Sequence, residues 1–516
     1  MTVEPFRRVK PDEAWHECPE IPVVGKDVIE LLSSSMYVNP LAIYREYLQN
    51  ATDSIEAARA DGLLNGSAGT VAVQVDARTR SIRVRDDGAG LNDVQFHKRL
   101  TTVGSSTKRG TQSRGFRGVG RLAGLGYCQT LTFRSRADGE RYVHEMRWDC
   151  RKLKTLLQTP EYQGNLAEIL REVVAVRDVP AGELPRHFFD VELENIIRHR
   201  SDVLLDSAAV AAYLAEVAPV PFAPSFRYRD VIASALKACT HLAEVSLTVN
   251  ETEVYRPHRD ELPSRGGVAD SYEGIETFEI PGTNDSLAAV GWVLHHGYRG
   301  ALPSSSGVGG LRLRSGNMQI GEPNLLDFVF PESRFNAWSV GEFHILDRRI
   351  IPNGRRYHFE TNAPFHDLLN QLAPIARSVA MRCRTSSVLR KWERDFDQLF
   401  ANASRNLAVL RQNVASDDMI EESRAAFDSA LETMQKIAAR EQIQPATRQT
   451  MLKRLASLRR RAALPRPYPA SMSRLPSAER RAYRDCFEVI YECSADKAEA
   501  KSLIDRILRK LARRRR

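Results

Sequence analysis

No run of eighteen apolar residues free of charge or proline occurs in the 516-residue chain, and the N-terminal "MTVEPFRRVKPDEAWHECPE" lacks the apolar core of a secretory leader. Neither a membrane span nor export is expected, and the chain reads as cytoplasmic. Cysteine is sparse: the seven residues (Cys18, Cys128, Cys150, Cys239, Cys383, Cys486 and Cys493) are scattered and odd in number. There is no C-x-x-C pair and no H-E-x-x-H, which suits a reducing compartment and offers neither a disulfide framework nor a zinc site. Lysine is nearly missing from residues 191–390, where Lys237 stands alone. A true P-loop is missing too. The glycine-rich "GFRGVGRLAGLGY" at 115–127 has the right spacing from Gly115 to Gly120, but Arg121 and Leu122 stand where that loop needs a lysine and a hydroxyl. The preceding stretch is polar rather than a buried strand. No nuclease, protease or transferase motif appears.

What is present is an ordinary globular composition, 42% hydrophobic and 27% charged, in a chain long enough for two to four domains. The net charge of +9 is uneven. Residues 448–516 hold 20 Lys and Arg against 7 Asp and Glu, an excess of 13 positive charges, which leaves the other 447 residues at −4. The runs at 459–461 and 513–516 are of the kind that contacts nucleic acid, although a basic run is as often a solvated helix face.

The pattern along the chain is mixed α/β, then helical. "NPLAIYREYLQNATDSIEAARADG" places Tyr44, Tyr47, Leu48, Ala51, Ile55 and Ala58 at helical spacing and ends in Asp-Gly. "TVAVQVDARTRSIRVRDD" at 70–87 alternates on both sides of a short turn, a hairpin signature, and "QTLTFRSR" and "RYVHEMRW" read as further strands. A second α/β region is expected from about 205 to 362. Beyond 365 the texture is that of long charged helices, and "ALPRPYPASMSRLPSAE" at 463–479 reads as a proline-broken linker before the last basic helices.

Glu46, Asn50 and Asp53, at spacings of four and three, share one face of the first helix. On its own such a face is most often solvated. "RDDGAG" then follows the second hairpin strand and puts Asp86 where its carboxylate can meet a ligand. Gly88 and Gly90 there allow close backbone approach. The order is the specific feature: E-x-x-x-N-x-x-D on a helix, D-x-G-x-G after a strand, "GSSTK", then G-x-x-G-x-G. This series, clear over residues 30–135, resembles the GHKL ATPases, the superfamily of gyrase B subunits, ninety-kilodalton heat-shock chaperones, histidine kinases and MutL proteins.

The resemblance implies a Bergerat-type ATP-binding α/β sandwich over residues 1–200 with a lid at about 97–120. It implies an α/β transducer-like middle domain over 201–365, and the pattern of the remaining chain gives a helical or coiled-coil region over 366–462 and a linker with a basic helical tail over 463–516. The resemblance also implies ATP and Mg2+ as cofactors. Glu46 takes the place of the general base, Asn50 of the magnesium ligand, Asp53 of a supporting pocket residue and Asp86 of the adenine reader. Gly88 and Gly90 lie beside the base. Lys108 and the backbone of Gly115, Gly118, Val119 and Gly120 belong to the lid over the phosphates. Relatives often carry a glycine-threonine pair in a late strand touching the adenine side, and "RHFFDVELENI" lacks it.

With about 35 residues before the first motif and almost 400 after the last, the layout is unlike that of a histidine kinase. For the lysine that gyrase-like and MutL-like proteins supply from the second domain, residues 191–390 offer only Lys237, inside the helix-like "VIASALKACTHL", so arginine is the better candidate. "GEFHILDRRIIPNGRRYHFET" is similar to the middle-domain segment of heat-shock chaperones that carries a P-x-N loop and an arginine reaching the γ-phosphate, which makes Arg355 or Arg356 the candidate. The lid fits both those chaperones and the microrchidia (MORC) ATPases that act on DNA. The family implies a homodimer closed by ATP. The expectation is an ATP-gated clamp, with nucleic acid held by the basic tail, or with a protein client held by the middle domain as the alternative. The presence of Glu46 argues against a scaffold that binds ATP without turnover.

Overall fold

The computed structural model describes residues 39–64, 69–102, 120–162, 164–198, 200–240, 242–263, 270–283, 286–465, 469–494 and 497–514. Lys108, Gly115, Gly118 and Val119 lie outside them. The chain divides into two compact units, residues 1–380 and 381–516. Among the described residues no helix is long and apolar enough to cross a membrane.

The first helix of the described residues, α1 (Ala42–Ala60), starts where Asn39 Oδ1 accepts the Leu41 N–H at 3.0 Å and ends at Gly62, whose φ of 72° lets Leu63 N–H turn back to the Ala58 carbonyl at 2.8 Å. Its apolar stripe of Ile43, Leu48, Ala51 and Ile55 packs onto Val71, Val73, Val84 and Leu131 of the sheet beneath. Full burial of a residue such as Ile55 contributes about 1.5–3 kcal/mol. The hairpin β1 (Thr70–Asp76) and β2 (Ser81–Asp86) buries Val71, Val73, Val75, Ile82 and Val84 on one face. Asp76 Oδ1 closes its turn by accepting the N–H groups of Arg78 and Thr79 at 2.8 and 3.1 Å.

After α2 (Asp93–Thr101) come β3 (Thr130–Arg136), β4 (Tyr142–Asp149), the short helices α3 (Cys150–Gln158) and α4 (Leu166–Val173), then β5 (Val174–Pro180) and β6 (Phe188–Glu194). Helices α5 (Ser207–Val217) and α6 (Arg229–Lys237) lead to β7 (Ser246–Val249) and β8 (Thr252–Glu253). The eight strands form one sheet in the order β5-β4-β3-β6-β2-β1-β7-β8, antiparallel except where β7 runs parallel to β1. The sheet therefore takes two strands from beyond residue 201.

A hairpin of β9 (Glu261–Leu262) and β10 (Asp270–Ser271) precedes a second sheet built from β11 (Gly274–Pro281), β12 (Leu287–His295), β13 (Gly310–Ser315), β14 (Met318–Ile320) and β15 (Val340–Ile345). Its order is β11-β12-β15-β13-β14. Helix α5 packs against both α1 and β14. Arg312 donates to the Glu216 carboxylate at 2.8 Å and Arg314 to the Glu216 carbonyl at 2.7 Å, so ionic and backbone bonds tie the second sheet to the end of that helix.

Helix α7 (Ala363–Gln412) carries the chain into the second unit, where its later part packs with α8 (Asp417–Ala438) and α9 (Pro445–Ala463) around Phe396, Leu407, Phe427, Met434 and Leu458. Helices α10 (Ser477–Cys493) and α11 (Lys497–Arg514) bury Phe487, Tyr491 and Ile504 with Val409 and Val414 of the same unit. The stretch expected as a linker also places Met472 and Leu475 in that core. Apolar stripes drawn inward leave Arg459, Arg460, Arg461, Arg506, Arg509 and Arg513 exposed.

Candidate nucleotide site

A cavity of about 410 Å³ opens between α1, α2 and the sheet, within the usual ~300–1,000 Å³ range of small-molecule sites. Asn50 and Asp53 of α1, Asp86 at the end of β2, Gly90 of the turn after it, and Val84, Phe133, Phe189 and Val191 of the sheet line it. The cavity thus has an apolar floor and a few convergent polar groups.

Asp86 sits at the end of β2, only 3% exposed. Burial pushes its carboxyl up to about 8, although the Gly88 N–H, donating at 2.9 Å, and the Ser54 hydroxyl both favour the charged form. The turn is bound to α1 through Ser54, whose carbonyl accepts the Ala89 N–H at 3.1 Å. A methyl group on Gly88 would come within 2.2 Å of Ser54 Oγ, and one on Gly90, at φ 65°, within 2.0 Å of the Arg136 carbonyl oxygen. Both glycines are required by close packing, and Ser54 is a site residue the sequence reading missed.

Glu46 is buried one helical turn before Asn50, beyond the walls of the cavity. The glycine-rich segment returns as a 3₁₀ stretch, Gly120–Gly126, packed on α1. A Cβ at Gly120 would stand 2.3 Å from Glu46 Oε2, and Tyr47 OH accepts the Gly124 N–H at 2.9 Å. The other oxygen, Glu46 Oε1, has Arg356 Nε at 3.8 Å. Arg356 is buried and holds φ 56°, a left-handed conformation costly for a side chain of its size. Its loop is held by the Asn353 carbonyl, which accepts the Arg356 N–H at 3.0 Å, and by Gly321 N–H, which donates to the Arg356 carbonyl at 2.9 Å. Arg45 of α1 donates to the Arg355 carbonyl at 2.9 Å, while the Arg355 residue itself is exposed. Of the two candidate arginines, Arg356 is the one brought to Glu46.

The strand lacking the glycine-threonine pair is β6. It pairs with β2 so that Phe189 lies opposite Asp86, and Phe189 and Val191 line the cavity. On the other face Asp190, fully buried, binds Arg83 and Arg85 at 2.5 and 2.8 Å. Lys237, the lone lysine of 191–390, is exposed at the end of α6.

Asn50 offers one neutral oxygen, and among the described residues no cluster of three or more His, Cys, Asp or Glu is arranged to hold a metal. A hard cation here would draw most of its ligands from phosphate oxygens and water, which fits magnesium carried in with a triphosphate. The buried carboxylate, glycine turn, apolar floor and lone asparagine together suit an adenine nucleotide.

The chain carries a GHKL-type ATPase domain: residues 45–171 match the family model described as histidine kinase-, DNA gyrase B-, and HSP90-like ATPase. Among individual proteins, it is similar to the chaperone protein HtpG of Nitrosospira multiformis, 26% identical over 142 residues that make up 24% of this chain and 22% of that one. The HtpG of Cupriavidus taiwanensis is 26% identical over 160 residues, 25% of each chain, and that of Chlorobium luteolum 28% identical over 87 residues, 16% of this chain and 14% of that one. The chain thus spans a quarter or less of the length of these curated relatives.

Proposed function

We propose that the protein binds ATP with magnesium and hydrolyses it, and that Glu46 orients and deprotonates the attacking water, a role typically contributing about 10²–10⁴-fold in rate. Asn50 joins the magnesium shell with Asp53 supporting the pocket wall. Asp86 accepts from the exocyclic amine of adenine, beside Gly88 and Gly90. Lys108, Gly115, Gly118, Val119 and Gly120 serve the phosphate side. Arg356 stabilises charge that develops in phosphoryl transfer. The observation that supports this best is the 3.8 Å approach of Arg356 to Glu46, a cation from beyond the second sheet beside the carboxylate of α1. The test is ATP turnover by the Glu46→Ala protein: retained ATP binding with lost turnover is expected, and turnover at the wild-type rate rejects the mechanism.

Hydrolysis then serves an ATP-gated clamp, a homodimer that closes when ATP is bound and that holds nucleic acid. The exposed arginines of α9 and α11 support this reading, because the inward side of these helices is packed and the basic side is left outward. The similarity to the HtpG chaperones favours a second reading, a chaperone-like ATPase acting on protein clients. ATP turnover in the presence of DNA or of unfolded protein separates them by which one stimulates. Removing residues 448–516 would strip Met451, Leu455 and Leu458 from the core, so DNA binding is better tested by charge reversal at Arg459, Arg460 and Arg461. A salt-sensitive affinity that weakens on reversal is expected, and an unchanged affinity rejects the nucleic-acid reading.

A further inference from the structure

Arg99, near the end of α2, and Arg121, directly after Gly120, both line the nucleotide cavity. Their situation differs from that of Arg83, Arg85 and Arg134 on the neighbouring sheet. Arg83 and Arg85 share Asp190, and Arg134 is held by Glu145 and Glu192. Among the described residues no carboxylate contributes to the electrostatics of Arg99 or of Arg121. The three acids in the cavity wall, Asp53, Asp61 and Asp86, come from α1, the residue that follows it and the end of β2. Loss of solvation lowers Arg99 even though it stands exposed at the rim, and lowers the half-buried Arg121 to about 10, with the neighbouring Arg99 charge adding to the effect. Arg121 spends one amino group on the Thr102 carbonyl, and its Nε is buried with no hydrogen-bond partner among the described residues.

Two cations beside one cavity, each without an acid among the described residues, repel one another, and the buried Arg121 Nε gives up hydration without a hydrogen bond among those residues. An anion in the cavity reverses both penalties. The planar guanidinium fork matches phosphate oxygens in paired hydrogen bonds, which the half-buried setting of Arg121 strengthens.

We infer that Arg99 and Arg121 grip the polyphosphate of the bound nucleotide, so that this pair supplies the gain in affinity from nucleoside monophosphate to diphosphate and triphosphate. The inference rests on the ATP reading and deepens it. It assigns the phosphate side of the described cavity to α2 and to the residue after the glycine loop, the position at which the sequence departs from a P-loop. Selectivity then divides, with Asp86 reading the base and the arginine pair counting phosphates.

The test is calorimetric titration of the full chain with AMP, ADP and ATP, with magnesium present, for wild type, Arg99→Ala, Arg121→Ala, Arg121→Lys and Asp86→Asn. Melting curves without nucleotide accompany the titrations. Each alanine variant is expected to lose about tenfold to hundredfold in ADP and ATP affinity, the range for a hydrogen bond to a charged group, with AMP affinity unchanged. Arg121→Lys is expected to recover part of the loss. The nucleotide-free melting temperature is expected to hold or rise, because a desolvated cation has been removed. An unchanged ratio of ATP to AMP affinity overturns the inference. So does a lower melting temperature with equal losses for all three nucleotides, which assigns Arg121 to holding the Thr102 carbonyl instead. Failure of the ATP reading looks different: wild type binds none of the three, or Asp86→Asn leaves every affinity unaltered.

Discussion

Arg356 approaches Glu46 with Nε 3.8 Å from Oε1, while the preceding residue offers its carbonyl to Arg45, the neighbour of Glu46 on α1, at 2.9 Å. Two consecutive residues of one loop thus engage two consecutive residues of one helix. Glu46→Gln and Arg356→Ala are each expected to slow ATP turnover, the first by about 10²–10⁴-fold, with nucleotide affinity within a few-fold of wild type. The double variant is expected to be no slower than the product of one loss with a small further factor, since groups that act as a unit are not additive. Steady-state turnover with parallel binding measurements checks this, and fully multiplicative losses would show the pair to be independent.

Gly120 stands against the same carboxylate. The clash that a Cβ would make at 2.3 Å is with the far end of the Glu46 side chain, which can swing aside. Gly120→Ala is therefore expected to lower turnover by displacing Glu46 while leaving the melting temperature nearly unchanged. Gly88→Ala is the contrasting case, because its Cβ would meet the Ser54 backbone carbonyl carbon at 2.6 Å. It is expected to cost both stability and ATP binding, measured by denaturant melts and titration.

Asp86 makes the nucleotide-free protein sensitive to pH. Its folded carboxyl is raised to about 8 from an ordinary 3.8, mainly by burial, so between these values the folded state holds a proton that the unfolded chain has released. Stability from this group is fully present below about pH 4, falls as pH rises and is lost above about pH 8. Urea melts across that range are expected to show the slope in wild type and a flatter profile in Asp86→Asn, which is also expected to lose ATP binding. Parallel profiles for the two proteins would remove burial of Asp86 as the cause.

Glu342 anchors the second sheet between Arg256 and Arg314, with Arg314 Nε at 2.8 Å from Oε1, and all three are at most 2% exposed. Burial alone would raise its carboxyl, but the two guanidinium groups outweigh that and hold it well below the usual carboxylate range. Glu342→Gln leaves two buried cations uncompensated and is expected to cost about 3–5 kcal/mol in denaturant unfolding, as breaking a buried pair does. A loss below about 1 kcal/mol would mean that water reaches the arginines.

Much of the candidate site was legible in the sequence because its parts are local. Four- and three-residue spacing put Glu46, Asn50 and Asp53 on one side of α1, alternation defined the hairpin, and the Asp-x-Gly-x-Gly turn had to follow the strand that ends at Asp86. These are consequences of helical and strand periods, which need no partner to be read. The sequence also distinguished the glycine segment from a P-loop at Arg121, without indicating that this arginine lines the cavity.

Tertiary structure decided the rest. Whether Arg355 or Arg356 approaches Glu46 depends on a loop held at φ 56° about 310 residues along the chain, and helical or strand period carries no information over that distance. Ser54, Phe189 and Arg99 join the site only because α1, β6 and α2 pack around one cavity. Charge in the tail could be counted in the sequence, but the side on which it faces was set by burial of Leu458, Phe487 and Ile504, which turned the arginines outward. Local pattern specifies which groups an element carries, and only the burial of apolar surface between distant elements specifies which groups meet.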